Sequence, residues 1–82
     1  MSDAKLFLRQ AEAAQRAARY ALGGIHALQE LETDLERAGV MLTGKQHEVL
    51  NDRLAFFRNE RRRALEMYDG AMQQNADALH LG

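Results

Sequence analysis

Small and apolar residues recur at every seventh position through the first half of the chain. Phe7, Ala14, Ala21, Leu28, Leu35 and Leu42 share one phase, and Gln10, Ala17, Gly24, Leu31 and Ala38 fall three residues later. A repeat that never slips predicts one long helix burying a narrow seam. Ser2 suits its N-cap, and Asp3 sits in the first turn, where the macrodipole favours a negative charge. Gly39 suits the position just past the end, after Ala38, and Arg37 puts a cation in the last turn. The predicted helix covers 3–38, about 54 Å at 1.5 Å per residue.

Gly23-Gly24 is the point of choice. Paired glycines often end a helix, and a break there gives three helices. A turn would have no need to keep the heptad in register on both sides, yet the register holds. The pattern therefore favours a continuous helix, with a three-helix bundle as the alternative.

After the apolar link Val40-Met41-Leu42, Thr43 and Gln46 have the Thr-x-x-Gln spacing of a capping box, the usual opening of a helix. The predicted second helix covers 44–79, leaving 39–43 as the connection and His80 to Gly82 loose. Its stripe is Leu50, Leu54, Phe57, Arg61, Ala64/Leu65, Tyr68, Met72, Asn75 and Leu79. Asp69-Gly70 is a weak point, with Gly70 on the solvent side by phase.

A short loop between two long helices makes an antiparallel hairpin. Folding about Met41 sets opposite one another residues whose numbers add to about 82. Phe57 then faces Gly24 and Ile25, Arg61 faces Ala21, Ala64 faces Ala17, and Tyr68 faces Ala14. Large residues on one helix meet small ones on the other, which gives the Ala/Gly run a packing reason. The fold class is all-α: a two-helix hairpin forming a single domain over residues 1–82. One seam per helix is thin for stability, and Val49, Phe56 and Met67 lie about 100–130° off it, with Leu8 and Leu22 displaced on helix one. Val49, Phe56 and Met67 are the expected oligomer contacts, and a homodimer forming a four-helix bundle is the simplest way to cover these flanks.

Composition changes the picture mainly by exclusion. Among the 82 residues there is no Cys and no Pro, which removes disulfides, thiol nucleophiles and Cys-based zinc sites, and leaves helix uninterrupted. A net charge of −1 argues against coating DNA or membranes through bulk charge. No leader pattern and no membrane span is read, so the expected location is cytoplasmic. Nine Arg against two Lys, with fourteen Ala, hint at a GC-rich bacterial or phage genome.

No catalytic constellation is read, and no cofactor. His26 with Glu30, and Asp77 with His80, have metal-ligand spacing, but di-metal bundles need four carboxylates and two His converging in the core. Leu, Ala, Phe and Tyr hold the core positions here, so no metal site is expected. The most distinctive segment is Phe56-Phe57-Arg58-Asn59-Glu60-Arg61-Arg62-Arg63. In a hairpin, Arg58, Arg62 and Arg63 come level with Arg16 and Arg19, a basic band suited to an acidic protein or to phosphate. Phe56, Arg58, Arg62, Arg63, Arg16 and Arg19 are the candidate partner contacts. Arg61 falls in the seam by phase and is expected to snorkel or to pair across an oligomer interface. Glu32, Asp34 and Glu36, near the loop, form the second candidate face.

The nine residues Leu42 to Leu50 resemble the opening of the helix-turn-helix of response regulators. In that family a second helix follows a tight glycine turn. Here Asn51 to Phe57 continue the first, so that family's function is not implied. The function expected from the whole pattern is a non-enzymatic helical protein that binds itself and a larger protein. It is similar in type to the small inhibitors and adaptors that phages and mobile elements use against host complexes, anti-CRISPR proteins among them. The alternatives are a nucleic-acid-binding regulator using the arginine band, and a purely structural homo-oligomer.

Overall fold

In a computed structural model the chain forms two α-helices, α1 (Ser2–Arg37) and α2 (Gly44–Leu81), packed as an antiparallel hairpin. The structure describes residues 2–81, and side chains from Lys5 to Asp77. No strand occurs among the described residues.

Gly23-Gly24 does not break α1, so the three-helix alternative is overturned. The reason lies across the seam. A Cβ on Gly24 would sit 2.8 Å from Cδ1 and Cε1 of Phe57, closer than real Cβ contacts allow. Gly24 is thus the notch into which the Phe57 ring packs. A Cβ on Gly23 would meet nothing within 4 Å, so that glycine has no packing partner.

The loop is closed by two local devices. Gly39 adopts φ 71°, and the Val40 N–H donates to the Leu35 carbonyl at 2.9 Å while the Gly39 N–H donates to Glu36 at 3.1 Å. These two bonds make a Schellman ending, which needs a residue comfortable at positive φ. At the start of α2 the Gln46 N–H donates to Thr43 Oγ1 at 3.1 Å, and the Thr43 N–H donates to Gln46 Oε1 at 2.9 Å. That is the capping box the spacing predicts. Nothing in Ala76 to Leu81 opposes helix, and α2 keeps its backbone helical through His80 and Leu81 instead of loosening after 79. Gly82 lies outside the described residues.

The buried seam differs from the sequence reading by one row. On α1 the buried residues are Ala11, Ala14, Ala18, Ala21 and Ile25, with Leu28 and Leu35 half-buried. The row Phe7, Ala14, Ala21, Leu28, Leu35 is therefore right, but its companion is Ala11, Ala18, Ile25 and Glu32. Gln10, Ala17 and Leu31 are exposed. On α2 the seam is Leu50, Leu54, Phe57, Ala64, Tyr68, Ala71 and Asn75. Ala71 takes the place expected for Met72, because strict 3–4 spacing from Ala64 reaches 68, 71 and 75. Arg61 occupies a seam phase yet stays exposed.

The best-packed part is at the loop half, where Ile25, Leu50 and Leu54 are buried and Leu28, Leu42 and Phe57 close over them. Toward the open end the seam is mostly alanine. Asn75 is buried there, with its Oδ1 lacking a hydrogen-bond partner among the described residues. The molecule measures 61 × 18 × 14 Å, with a Cα radius of gyration of 18.3 Å. A compact chain of this length would have a radius near 12 Å.

The adjacent glycines supply a sharp test by urea or thermal unfolding at fixed concentration. Gly23→Ala should stabilise by about 0.5–1 kcal/mol through helix propensity alone. Gly24→Ala should destabilise by about 1 kcal/mol or more, since overpacking against Phe57 outweighs the same propensity gain. Equal effects at both positions would refute the notch.

Candidate functional site

Antiparallel packing of two heptad helices leaves two broad faces, one on each side of the seam, each built from both helices. A shallow groove on the first face brings Gln10 and Ala13 of α1 beside Met67, Gly70 and Gln74 of α2. By helical phase the same face carries Leu6, Ala17, Tyr20, Ala27 and Leu31 from α1, and Val49 and Phe56 from α2. Every one of these is exposed, Tyr20 at 79% and Met67 at 65%. Near its middle Phe56 meets Phe57 edge-on, with centroids 5.4 Å apart and planes at 75°. The Arg53 guanidinium lies 5.2 Å from the Phe56 centroid and 5.4 Å from that of Phe57. Such cation–π contacts hold the cation over the rings and help keep Phe56 in place on the surface.

The second face is basic. One groove is lined by Arg58, Arg61 and Arg62, together with Ile25, Leu65, Glu66 and Asp69. The Arg62 Nη2 donates to Asn59 Oδ1 at 2.6 Å. Arg61 reaches this groove because a guanidinium cannot enter a seam of alanines, so its head leaves toward water. Its seam phase and outward-turned head match the snorkelling expected from the sequence.

The six candidate partner contacts are accordingly divided. Arg58 and Arg62 converge on the second face, and the exposed Arg19 lies toward that side by phase. Phe56 and Arg63 lie toward the first face, where Arg63 approaches Glu60 at 3.8 Å. Arg16 points outward from the back of α1 by phase and is exposed. The acidic trio divides too. Half-buried Glu32 and exposed Glu36 join Leu35, Met41 and His47 at the loop end, whereas Asp34 lines a different surface with His26, Glu30 and Arg37.

Sequence reasoning missed two things. Arg53 belongs to the first face, over the Phe56 and Phe57 rings, and α1 carries a second stripe with the 3–4 spacing of the first. That stripe (Leu6, Gln10, Ala13, Ala17, Tyr20, Gly24, Ala27, Leu31) was legible as a heptad row in which nothing is charged. Among the described residues no group of three or more His, Asp or Glu comes within reach of one metal ion, and the His80 side chain lies outside them. No described helix is long and apolar enough to cross a membrane. No protein family, no curated protein and no solved structure matches the chain.

Arg61→Leu should stabilise the hairpin by about 1 kcal/mol, since a leucine at a seam phase can cover Ile25 and remove apolar area from water. Unfolding curves showing a loss of stability would mean that the guanidinium is a structural partner.

Proposed function

We propose that this protein acts by binding other proteins and performs no chemistry of its own, a small adaptor or inhibitor of a larger complex working in the cytoplasm. What carries the reading is where the large side chains lie. Among the described residues six of the nine buried apolar ones are alanine, while Tyr20, Val49, Phe56 and Met67 remain on the surface. A helical protein that spends its bulky apolar groups outside its own core is suited to making interfaces.

The arginine groove is the candidate contact for the larger partner. Arg58, Arg61 and Arg62 are interleaved with Ile25, Leu65, Glu66 and Asp69. Guanidiniums beside apolar carbons and carboxylates suit the mixed surface of an acidic protein. A phosphate backbone would be repelled by Glu66 and Asp69. The convergence of three guanidiniums favours nucleic acid as the second reading, and a purely structural homo-oligomer is the third. In type the protein remains similar to phage and mobile-element inhibitors such as anti-CRISPR proteins, an analogy of size and design.

Affinity capture of the tagged protein from its native lysate, with and without nuclease, separates these readings. The expected result is a near-stoichiometric protein that survives nuclease and is lost with Arg58→Glu/Arg62→Glu. Capture of nucleic acid, with binding that falls steeply as salt rises, would replace this reading with the second. Nothing captured beyond the chain itself would leave the homo-oligomer.

A further inference from the structure

We infer that the first face takes a second copy of this chain, side by side with both loops at the same end, so that α1 of one copy lies over α2 of the other. This deepens the proposed interaction role by assigning self-association to one face. It leaves the arginine groove, on the opposite face, open to another partner.

The area is the first argument. The chain exposes 6503 Å². A compact monomer of 9.3 kDa exposes about 5,000 Å² by size scaling. The excess, roughly 1,500 Å², exceeds the roughly 800 Å² that each partner buries in a standard interface. A second hairpin laid along a 61 Å molecule can supply burial on that scale.

Phase is the second argument. The buried seam of α1 and its uncharged outer stripe are turned from each other by about 110° at 100° per residue. Two seams at roughly a right angle are what each helix of a four-helix bundle needs, one for each neighbour. On α2 the matching row is Val49, Arg53, Phe56, Glu60, Arg63, Met67 and Gly70, where bulky groups alternate with charged ones.

Complementarity decides both the occupant and its direction. Gly24 against Phe57, and Ala13 beside Met67, fix which residues of α1 and α2 stand level in one hairpin. A two-fold axis along the length keeps those levels and exchanges the helices. Phe56 then lies over Ala27 of the second copy, Met67 over its Ala13 and Ala17, and Tyr20 over its Glu60 and Arg63. Large groups meet small ones, and the phenol meets the two charges. With loops at opposite ends α2 would lie on α2, setting Glu60 against Glu60 or Arg53 against Arg63. The second face is a poor self-contact, because Arg58, Arg61 and Arg62 would confront their own copies with the loops at opposite ends and would come up against Arg19 of the second copy with the loops together.

Two measurements on the purified chain test this without reference to any other partner. Light scattering with size exclusion should give twice the 9.3 kDa monomer mass at about 100 µM. Phe56→Glu and Met67→Glu should each weaken the dimer roughly 100-fold while Arg58→Glu does not. Circular dichroism would show that helicity survives these changes at exposed positions. With no native cysteine, Met41→Cys at the exposed loop tip takes a single spin label. Tip labels should lie within roughly 30 Å of each other in the dimer, given axes 8–10 Å apart between neighbouring helices. Label distances near the 61 Å length of the molecule would overturn the orientation. A monomer at every concentration, or a dimer indifferent to Phe56→Glu and Met67→Glu, would overturn the interface. Failure of the arginine groove to capture a protein would overturn only the reading of that groove.

Discussion

The close approach of two helices across a seam of small residues governs everything else in this molecule. Ala11, Ala14, Ala18, Ala21, Ala64 and Ala71 are buried, and Gly24 admits the ring of Phe57. Short side chains let the backbones come near and interlock with the few large groups opposite. They also bury little apolar area per residue, so the seam alone contributes modestly to stability. Larger apolar groups that would ordinarily fill a core are displaced outward. The extended shape and the large exposed area are two consequences of that one choice of side-chain size.

Register follows from the loop. The positive φ of Gly39 and the reciprocal Thr43–Gln46 bonds end one helix and start the next within a few residues. With the turn so short, the level at which each residue of α2 meets α1 is determined along the whole length. That level brings Phe57 onto Gly24 and Met67 beside Ala13. It also sorts the surface, because a residue's phase about its own helix then decides which of the two faces it joins. Tyr20, Phe56 and Met67 share one face with Arg53 and Arg63, and Arg58, Arg61 and Arg62 converge on the other, although Phe56 to Arg63 are neighbours in the chain.

The candidate site was legible in kind and illegible in grouping. The arginine-rich segment announces a basic surface from composition alone, but four consecutive side chains on a helix point through most of a turn. Phe56 and Arg63 therefore part from Arg58 and Arg62. Glu32, Asp34 and Glu36 part for the same reason. The seam itself shows a subtler limit. On either side of the row Phe7, Ala14, Ala21, Leu28, Leu35 stand rows of small residues, Gln10/Ala17/Gly24/Leu31 and Ala11/Ala18/Ile25. Hydrophobicity along α1 cannot choose between them, since each row is mostly apolar, carries one polar residue (Gln10 or Glu32) and continues the heptad. Ala11, Ala18 and Ile25 become the buried seam, while Gln10, Ala17 and Leu31 stay exposed and Gly24, in their row, receives Phe57.

The local chemistry of the chain determined its secondary structure. Unbroken heptads, the absence of proline, a glycine where the chain must turn at positive φ, and a Thr-x-x-Gln start are each readable one helix at a time. Backbone hydrogen bonding and capping act within a few residues, so two long helices and their hairpin connection follow from sequence. Which row of α1 is buried, where Arg61 sends its charge and which arginines share a groove were decided only in the tertiary structure. Those outcomes depend on the second helix, where Leu50 and Leu54 cluster with Ile25 and Phe57 packs on Gly24.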